Sequence, residues 1–236
     1  SSDLFSWKIY REFLSVGMAQ MLMQLIIAVG IVIYNFFIVR LDVNAMAAFT
    51  LTGRIDYFII TPMLAIATAL LTVVGQNWGH GNVTRTLNAY WAAVALAFSI
   101  VLVLAVMHIV LAPWMYPLFT RVVAVSDYAV LQTRIMALAL PFVAISLLAS
   151  EYYQAIGKPW YSVLLTLMRH VFISVPVVYL LAIVLEMRIT GVYFGAMSGT
   201  FVAALLAWRL LRLSPRLLRW NQEAVRSQHL DMEVAP

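Results

Sequence analysis

Six long apolar segments, which together occupy most of the chain, constrain this protein more than any other feature of its sequence. A helix needs about 20 apolar residues to cross the hydrocarbon core of a bilayer. Only 11% of the 236 residues are charged, against about 25% in an average soluble domain. The sequence therefore predicts an all-α membrane protein with six transmembrane helices. The predicted helices cover 13–39, 45–75, 86–112, 135–153, 160–185 and 189–208, and a turn-rich break with Pro113, Pro117 and Asp127 is predicted between the third and the fourth.

The flanking segments are more polar than the spans. Residues 1–12 are predicted to be a cytoplasmic lead-in, residues 13–213 a six-helix transmembrane lobe, and residues 214–236 a basic, polar cytoplasmic tail. The printed chain does not open on a basic stretch, a short apolar core and a small-residue cleavage site, so no signal peptide is predicted. The chain has no cysteine, which excludes disulfides and thiol chemistry.

The distribution of lysine and arginine predicts the orientation in the membrane. The net charge of +5 and the pI near 9.6 are not a nucleic-acid footprint, because the basic residues cluster at the ends of the apolar spans. Nine basic residues fall on one side and four on the other, with Arg54 and Arg169 inside spans. We therefore expect both termini in the cytoplasm, in a bacterial-type plasma (inner) membrane, with lipid as a partner and no nucleic acid.

A glycine-rich motif separates the second and third predicted helices. Its members are Gly75, Gln76, Asn77, Gly79, Gly81 and Arg85. A phosphate-binding loop would follow a strand and carry a lysine after the last glycine, but Asn82 stands there. The motif predicts a tight cytoplasmic turn in which the glycines adopt left-handed conformations.

Ionisable residues inside a bilayer are costly and are functional candidates by default. Arg54, Asp56 and Arg169 are candidates for ion or substrate binding. Each also has a structural interpretation: Asp56 and Arg54 could neutralise each other, and Arg169 could form an ion pair or extend toward the membrane surface. Glu151 could pair with Arg169, or it could carry a proton if it is unpaired; Gln154 lies one turn further.

Polar residues on the first helix complete the candidate set. Facing the lobe interior, Gln20, Gln24 and Asn35 could bind substrate or fix helix packing, and packing is the commoner role. The histidines His108 and His170 have no second ligand at metal spacing, so they are interpreted as hydrogen-bonded structural residues. No metal site and no cofactor are predicted.

The last helix repeats a small residue every four positions. Gly191, Gly195, Gly199 and Ala203 line one face, which would let another backbone approach closely. Static packing and a surface that slides during transport are both compatible with this pattern.

Three segments carry a resemblance to a known family. Residues 54–85 contain an early arginine, a mid-helix proline and a Val-Gly-Gln-Asn motif; residues 154–181 contain Gly-Lys-Pro; residues 191–200 are rich in small residues. Together they resemble the multidrug and toxic compound extrusion (MATE) family of secondary transporters.

The resemblance implies that the chain is half of a larger transporter. The family has twelve helices in two six-helix lobes related as repeats, with the substrate cavity between them. This chain is similar to the carboxy-terminal lobe, which leaves an amino-terminal lobe as the missing partner. The implied function is efflux of organic cations or other amphiphilic drugs by alternating access, in exchange for H⁺ or Na⁺.

The sequence departs from one branch of the family. The sodium-coupled bacterial branch has acidic residues on the first and fourth helices of this lobe. Here the first helix offers only Gln20, Gln24 and Asn35, and Glu151 lies nearer the loop than expected. That sodium site is therefore not transferred to this chain.

Two alternatives to drug efflux stay open at this point, and a third is rejected. A flippase for a lipid-linked precursor could use the same scaffold, and Arg169 would suit it. A stand-alone six-helix module could form a homodimer through the small-residue face of the last helix. An intramembrane serine protease would use Ser198-Gly199, but Ala196 stands where its motif needs glycine, so no enzyme is predicted.

Overall fold

The fold is a bundle of six long helices joined by connections of one to three residues. The computed structural model describes the backbone of residues 7–233 and the side chains of residues 14–212. Each helix contains a segment long and apolar enough to cross a membrane, so the predicted all-α, six-span membrane fold is confirmed. The helices are α1 (Trp7–Leu41), α2 (Val43–Gly79), α3 (Val83–Phe119), α4 (Val123–Ala155), α5 (Pro159–Val184) and α6 (Arg188–Glu233).

The short connections define two ends of the bundle. Asp42 and residues 120–122 and 185–187 lie at one end, which we call the Asp42 end. Residues 80–82 and 156–158 lie at the other, which we call the Gly81 end. Successive helices therefore run antiparallel. The side chains of the predicted lead-in and of the predicted tail fall outside the described residues.

The predicted turn-rich break between residues 113 and 134 is wrong. Helix α3 continues through Pro113 and Pro117 to Phe119, and α4 already begins at Val123. A proline removes one intrahelical hydrogen bond but does not end a helix by itself, and both prolines fall within the last two turns of α3. Helix α4 instead has an internal irregularity, a 3₁₀ turn at Ala137–Ala139.

The largest buried cluster joins α2, α3, α4 and α5 with the far part of α6. Tyr90, Leu148 and Tyr152 are fully buried within it. The other faces of the bundle expose large apolar side chains, among them Phe58 and Leu118, which are 79% and 83% exposed. Such faces suit lipid rather than water.

Helices α5 and α6 pack backbone against backbone along what we call the glycine seam, formed by Gly191, Gly195 and Gly199 of α6 against α5. A Cβ atom on Gly195 would lie 2.7 Å from the Cα atom of Val178. At Gly199 a Cβ atom would collide with the Arg169 carbonyl oxygen. Helix α5 of the same chain therefore covers this face, and the predicted homodimer that would pair through it is wrong.

Helix α5 departs from α-helical geometry on both sides of Pro176. Residues Met168–Ile173 and Leu180–Val184 form π-helical turns. The Ser174 hydroxyl donates a hydrogen bond to the Arg169 carbonyl at 2.5 Å, within the first of these turns. Wide turns of this kind occur frequently at functional sites.

Candidate functional site

A chain of polar side chains, which we call the polar chain, crosses the interior of the bundle in the half toward the Asp42 end. Its four members are Asp56 of α2, His108 and Tyr116 of α3, and Thr133 of α4. Asp56 Oδ1 lies 3.4 Å from His108 Nδ1. His108 Nε2 lies 2.9 Å from the Tyr116 hydroxyl oxygen, which lies 2.6 Å from Thr133 Oγ1.

The polar chain is buried among apolar helices. Tyr116 is fully buried, Thr133 is 2% exposed, and the imidazole of His108 is 3% exposed. The carboxylate of Asp56 is 21% exposed, so it is the one member open to the surroundings. Long helical side chains point back toward the helix amino terminus, which is why Tyr116 reaches His108 two turns earlier.

The two nitrogens of His108 have different environments. Nε2 is paired with the Tyr116 hydroxyl, whereas Nδ1 is buried and has no hydrogen-bond partner among the described residues. The 3.4 Å separation from Asp56 is within ion-pair distance but is too long for a good hydrogen bond. The predicted structural role for His108 therefore accounts for one ring nitrogen and leaves the other facing a carboxylate.

The predicted neutralisation of Asp56 by Arg54 is wrong. Residues two apart on a helix do not face each other, and the Arg54 side chain is exposed on another face of α2. Among the described side chains, the ionisable group that lies nearest to Asp56 is the imidazole of His108, at 3.4 Å.

The predicted ion pair between Glu151 and Arg169 is also absent from the described residues. Arg169 lies in the first π-helical turn of α5, beside a small cavity of about 60 Å³ that Ser146, Ser150 and Thr166 help to line. Its guanidinium group contacts no carboxylate among the described side chains.

The other polar candidates on α4 and α5 have local partners. The Gln154 side-chain amide donates to the Ser150 carbonyl at 3.3 Å. The second predicted structural histidine, His170, packs on α1, since a Cβ atom on Gly30 would lie 3.2 Å from the His170 Cβ atom.

The polar residues of α1 do not form one site. Gln20 and Gln24 are exposed and line an open depression on the outer face of α1, so the prediction that they face the lobe interior is wrong for both. Asn35 lies further along, and its buried side-chain oxygen has no hydrogen-bond partner among the described residues.

Most of the predicted glycine turn is helical. Gly75, Gln76 and Asn77 belong to the last turns of α2, which ends at Gly79. Of the three glycines only Gly81 has a left-handed backbone, with φ of 72°. The Asn82 side chain then caps α3 by accepting a hydrogen bond from the Arg85 backbone N–H at 3.0 Å.

Several polar residues at the centre of the bundle were missed by the sequence reasoning. Tyr116 and Thr133 lay in the region predicted to be a break, so neither was placed inside a span. Gln132 and Tyr193 are buried and each has a side-chain oxygen without a hydrogen-bond partner in the described part of the chain. The sequence signal that could have indicated Tyr116 was its position between Pro113 and Pro117, which both lie inside α3.

Two further features of the described residues bear on ligands. Residues 14–212 contain no group of three histidine, cysteine, aspartate or glutamate side chains arranged to hold a metal ion. An open cavity of about 720 Å³ lies at the Asp42 end between α3 and α4, and Arg121, Asp127 and Arg134 are among its lining residues.

The fold and the polar chain define a multi-pass membrane protein with ionisable groups held inside its spans, an arrangement typical of transporters. Residues 19–180 match the MatE family. The chain belongs to this family, whose members are transporters rather than enzymes, and the resemblance found in the sequence is confirmed.

Individual relatives agree with the family assignment. The chain is 26% identical over 184 residues to the probable multidrug resistance protein NorM of Caulobacter vibrioides, covering 75% of this chain and 37% of the relative. A solved MATE structure in the bent conformation matches with a TM-score of 0.87 at 26% identity, covering 93% of this chain and 49% of the other.

A third relative is a transporter of the MOP superfamily from Pyrococcus furiosus, described as having a binding pocket of reverse polarity that suggests a different function. It matches with a TM-score of 0.87 at 27% identity, over 91% of this chain and 48% of the other. The chain thus spans about half the length of the solved transporters and just over a third of the curated relative. It has the fold of one half of a MATE transporter.

Proposed function

We propose that this chain is the carboxy-terminal lobe of an ion-coupled efflux antiporter for organic cations and related amphiphilic drugs. The observation that carries the proposal is the match to half of several MATE structures, with a carboxylate, Asp56, beside a histidine inside the lobe. Repeat-built transporters place the substrate between the repeats near the bilayer midplane. The missing amino-terminal lobe would supply the other wall of the cavity.

The proposed transport cycle uses the two lobes as rigid bodies. The short connections and the glycine seam hold the six helices of this lobe together, which favours rocking of the whole lobe over movement of single helices. The exposed side of α1 around Gln24, with its open depression, suits a surface that contacts the partner lobe or the substrate. Binding of H⁺ or Na⁺ to a carboxylate would be coupled to release of the drug, so that the ion and the drug cross the membrane in opposite directions.

For the orientation, the proposal places the Gly81 end and both termini in the cytoplasm of a bacterial inner membrane. The excess of lysine and arginine on that side of the sequence supports this orientation. Reactivity of single cysteines introduced at Gly81 and at Thr120 toward an impermeant reagent in intact cells would test it. We expect labelling at Thr120 and protection at Gly81.

A flippase for an anionic, lipid-linked precursor is the second candidate, and Arg169 favours it. This guanidinium lies inside the membrane region without a carboxylate partner among the described side chains, so it could bind an anionic group. The relative with the reversed pocket polarity supports this alternative on the same scaffold. Inhibition of drug efflux by excess anionic lipid would favour the flippase.

The proposed function is tested by efflux of ethidium from cells that express the complete protein containing this chain. We expect Asp56→Asn to reduce efflux by about tenfold or more at unchanged membrane abundance, and Glu151→Gln to reduce it as well. Asp127→Asn is the matched control, because that carboxylate is exposed at the Asp42 end. Normal efflux in both of the first two variants would remove the proposed ion sites.

A denaturing gel of the natural membrane provides the companion measurement. A band near twice the 26.5 kDa of this chain supports a twelve-helix protein. A band at 26.5 kDa would contradict a covalently attached partner lobe.

A further inference from the structure

We infer that Asp56 and His108 together form a proton-binding site and that Tyr116 and Thr133 form the hydrogen-bonded path that anchors the His108 ring with Nδ1 facing Asp56. The inference rests on the proposed function for its role in transport, and it commits that function to protons rather than sodium. It adds His108, Tyr116 and Thr133 to the carboxylate of Asp56. It also assigns a role to the buried ring nitrogen of His108 that has no hydrogen-bond partner among the described residues.

The path exists because three helices each contribute a polar group at the same depth. Helix α2 supplies the carboxylate, α3 the imidazole and the phenol, and α4 the threonine hydroxyl. The two links that involve hydroxyl groups, at 2.9 and 2.6 Å, have the lengths of good hydrogen bonds. A hydroxyl can donate and accept at once, so this row can run in either direction.

Proton binding at the pair balances without any other reactant. In the starting state the neutral imidazole carries its proton on Nε2 and donates it to Tyr116, so the bare Nδ1 faces the Asp56 carboxylate. A proton from the surroundings binds directly to Asp56, the member of the polar chain that is open. The new carboxylic O–H can then donate to Nδ1, which has no hydrogen-bond partner among the described residues. The net result is one proton gained by the carboxylate, with both hydroxyls and the imidazole unchanged.

The 3.4 Å gap between His108 and Asp56 is the contact that can be gated. A hydrogen bond between protonated Asp56 and Nδ1 requires the two groups to approach by a few tenths of an ångström, to the usual hydrogen-bond length. Pro62 follows Asp56 on α2 and has no N–H to donate to the preceding turn, so α2 can bend next to the carboxylate. A small change in that bend, within a lobe that otherwise moves as one body, would open or close the contact.

The chemistry of the site favours a proton over a metal ion. Hard cations select oxygen ligands. One of the two groups in the Asp56–His108 contact is an imidazole nitrogen, which is poorly suited to such cations. Softer metals use several ligands, and the described residues contain no cluster of three suitable side chains. A carboxylate beside an imidazole can still bind a proton with only these two groups.

Apart from Tyr116, no other ionisable group among the described side chains lies within ion-pair distance of Asp56 or His108. Arg54 on α2 is exposed, and on α4 Arg134 lines the cavity at the Asp42 end. On α3, Tyr116 is already a member of the path. Among the described side chains, only His108 lies within ion-pair distance of Asp56. Proton binding at the pair should therefore depend on these members and not on a distant charge.

The first test needs no transport substrate. Infrared difference spectra of the complete protein in lipid, recorded between acidic and basic buffer, would show a carboxylic-acid band that is lost in Asp56→Asn. We expect His108→Gln and Tyr116→Phe each to shift or broaden this band, while Tyr90→Phe leaves it unchanged. Tyr90 is the matched control because it is equally buried on the same helix and donates to a backbone carbonyl. The inference would be overturned if the Asp56 band were the same in His108→Gln and Tyr116→Phe as in the wild type.

The second test separates loading from drug binding. We expect Tyr116→Phe to slow pH-gradient-driven ethidium efflux by about tenfold or more with unchanged equilibrium binding of ethidium, and Tyr90→Phe to leave both near wild type. Thr133→Ser, which keeps the hydroxyl, should retain efflux that Thr133→Val loses. Equal losses in the two tyrosine variants, or efflux driven by sodium alone, would overturn the inference. Failure of the wild type to bind ethidium would count against the proposed drug transport and leave the infrared result standing.

Discussion

The glycine seam and the polar chain both join helices across the interior of this lobe, but they do so with different atoms. At the seam, the backbone of α6 touches the backbone of α5, and no side chain separates Gly195 from Val178. In the polar chain, the groups that meet are the ends of side chains from α2, α3 and α4.

This difference separates a fixed contact from one that can rearrange. Packed backbones have one arrangement, since any movement either opens a void or creates a collision. Hydroxyl and imidazole groups can reverse their hydrogen bonds without moving their helices. We therefore expect changes at the seam to act on folding and changes in the polar chain to act on coupling.

The largest effect is expected from Gly195→Ala in the seam. The added methyl group would lie 2.7 Å from the Val178 Cα atom, so the helices must separate, and we expect a loss of about 1–3 kcal/mol or more in stability. Thermal unfolding of the purified protein in detergent would measure it. The matched control is Gly53→Ala on α2, where no atom lies within 4 Å of the added group. Equal unfolding temperatures for the two variants would show that the seam is not close-packed.

An intermediate effect is expected from removing adjacent hydroxyls of the polar chain. Tyr116→Phe and Thr133→Val should each cost about 1–3 kcal/mol, because each leaves a buried partner unpaired. The double variant should cost less than the sum by about 0.5 kcal/mol or more, since the two share one hydrogen bond. Denaturant unfolding of all four proteins would give this coupling. Tyr90→Phe combined with Thr133→Val should be additive, and strict additivity in both pairs would contradict the hydrogen-bonded path.

The smallest effect is expected at the Asp42 end, away from both contacts. The Tyr128 hydroxyl donates to the Asp42 carboxylate at 2.9 Å, and this bond, with a second from the Asn44 N–H, holds the pKa of Asp42 below its usual value. Because the folded-state pKa is lowered, the stabilisation is complete above the ordinary value of about 3.9. It is lost as the pH falls through the folded-state pKa.

Tyr128→Phe should therefore lower the unfolding temperature slightly near neutral pH. The difference from wild type should shrink as the pH falls below about 4. Unfolding followed by tryptophan fluorescence at several pH values would check this. A difference that stays constant with pH would mean that Tyr128 acts through packing and not through the carboxylate.

The number and order of the helices could be predicted from sequence because a membrane span needs a long apolar run, and such runs are visible residue by residue. Their ends were predicted less well. Pro113 and Pro117 looked like a break, yet α3 continues through both to Phe119. Membrane helices tolerate proline because neighbouring helices and side chains can satisfy the freed backbone groups, and local rules about proline do not include those neighbours.

The site could be predicted only where a charge stands out against apolar neighbours. Asp56 was found in this way, but its partner was assigned to Arg54, two residues away, instead of His108, 52 residues away. The contact with His108 depends on how α2 and α3 are rotated about their axes. This rotation is set by the packing of whole helix faces. Tyr116 and Thr133 are ordinary residues in sequence, and only their meeting in space gives them a role.

The single-residue connection at Asp42 has a practical consequence for experiments on this protein. Leu41 ends one helix and Val43 begins the next, so this corner offers almost no flexible backbone to a protease or an antibody. An epitope inserted there would have to unwind one of two membrane helices before it could be recognised. Reporters that must stay accessible are better placed in the three-residue connection at 120–122, which also opens onto the cavity beside Arg121.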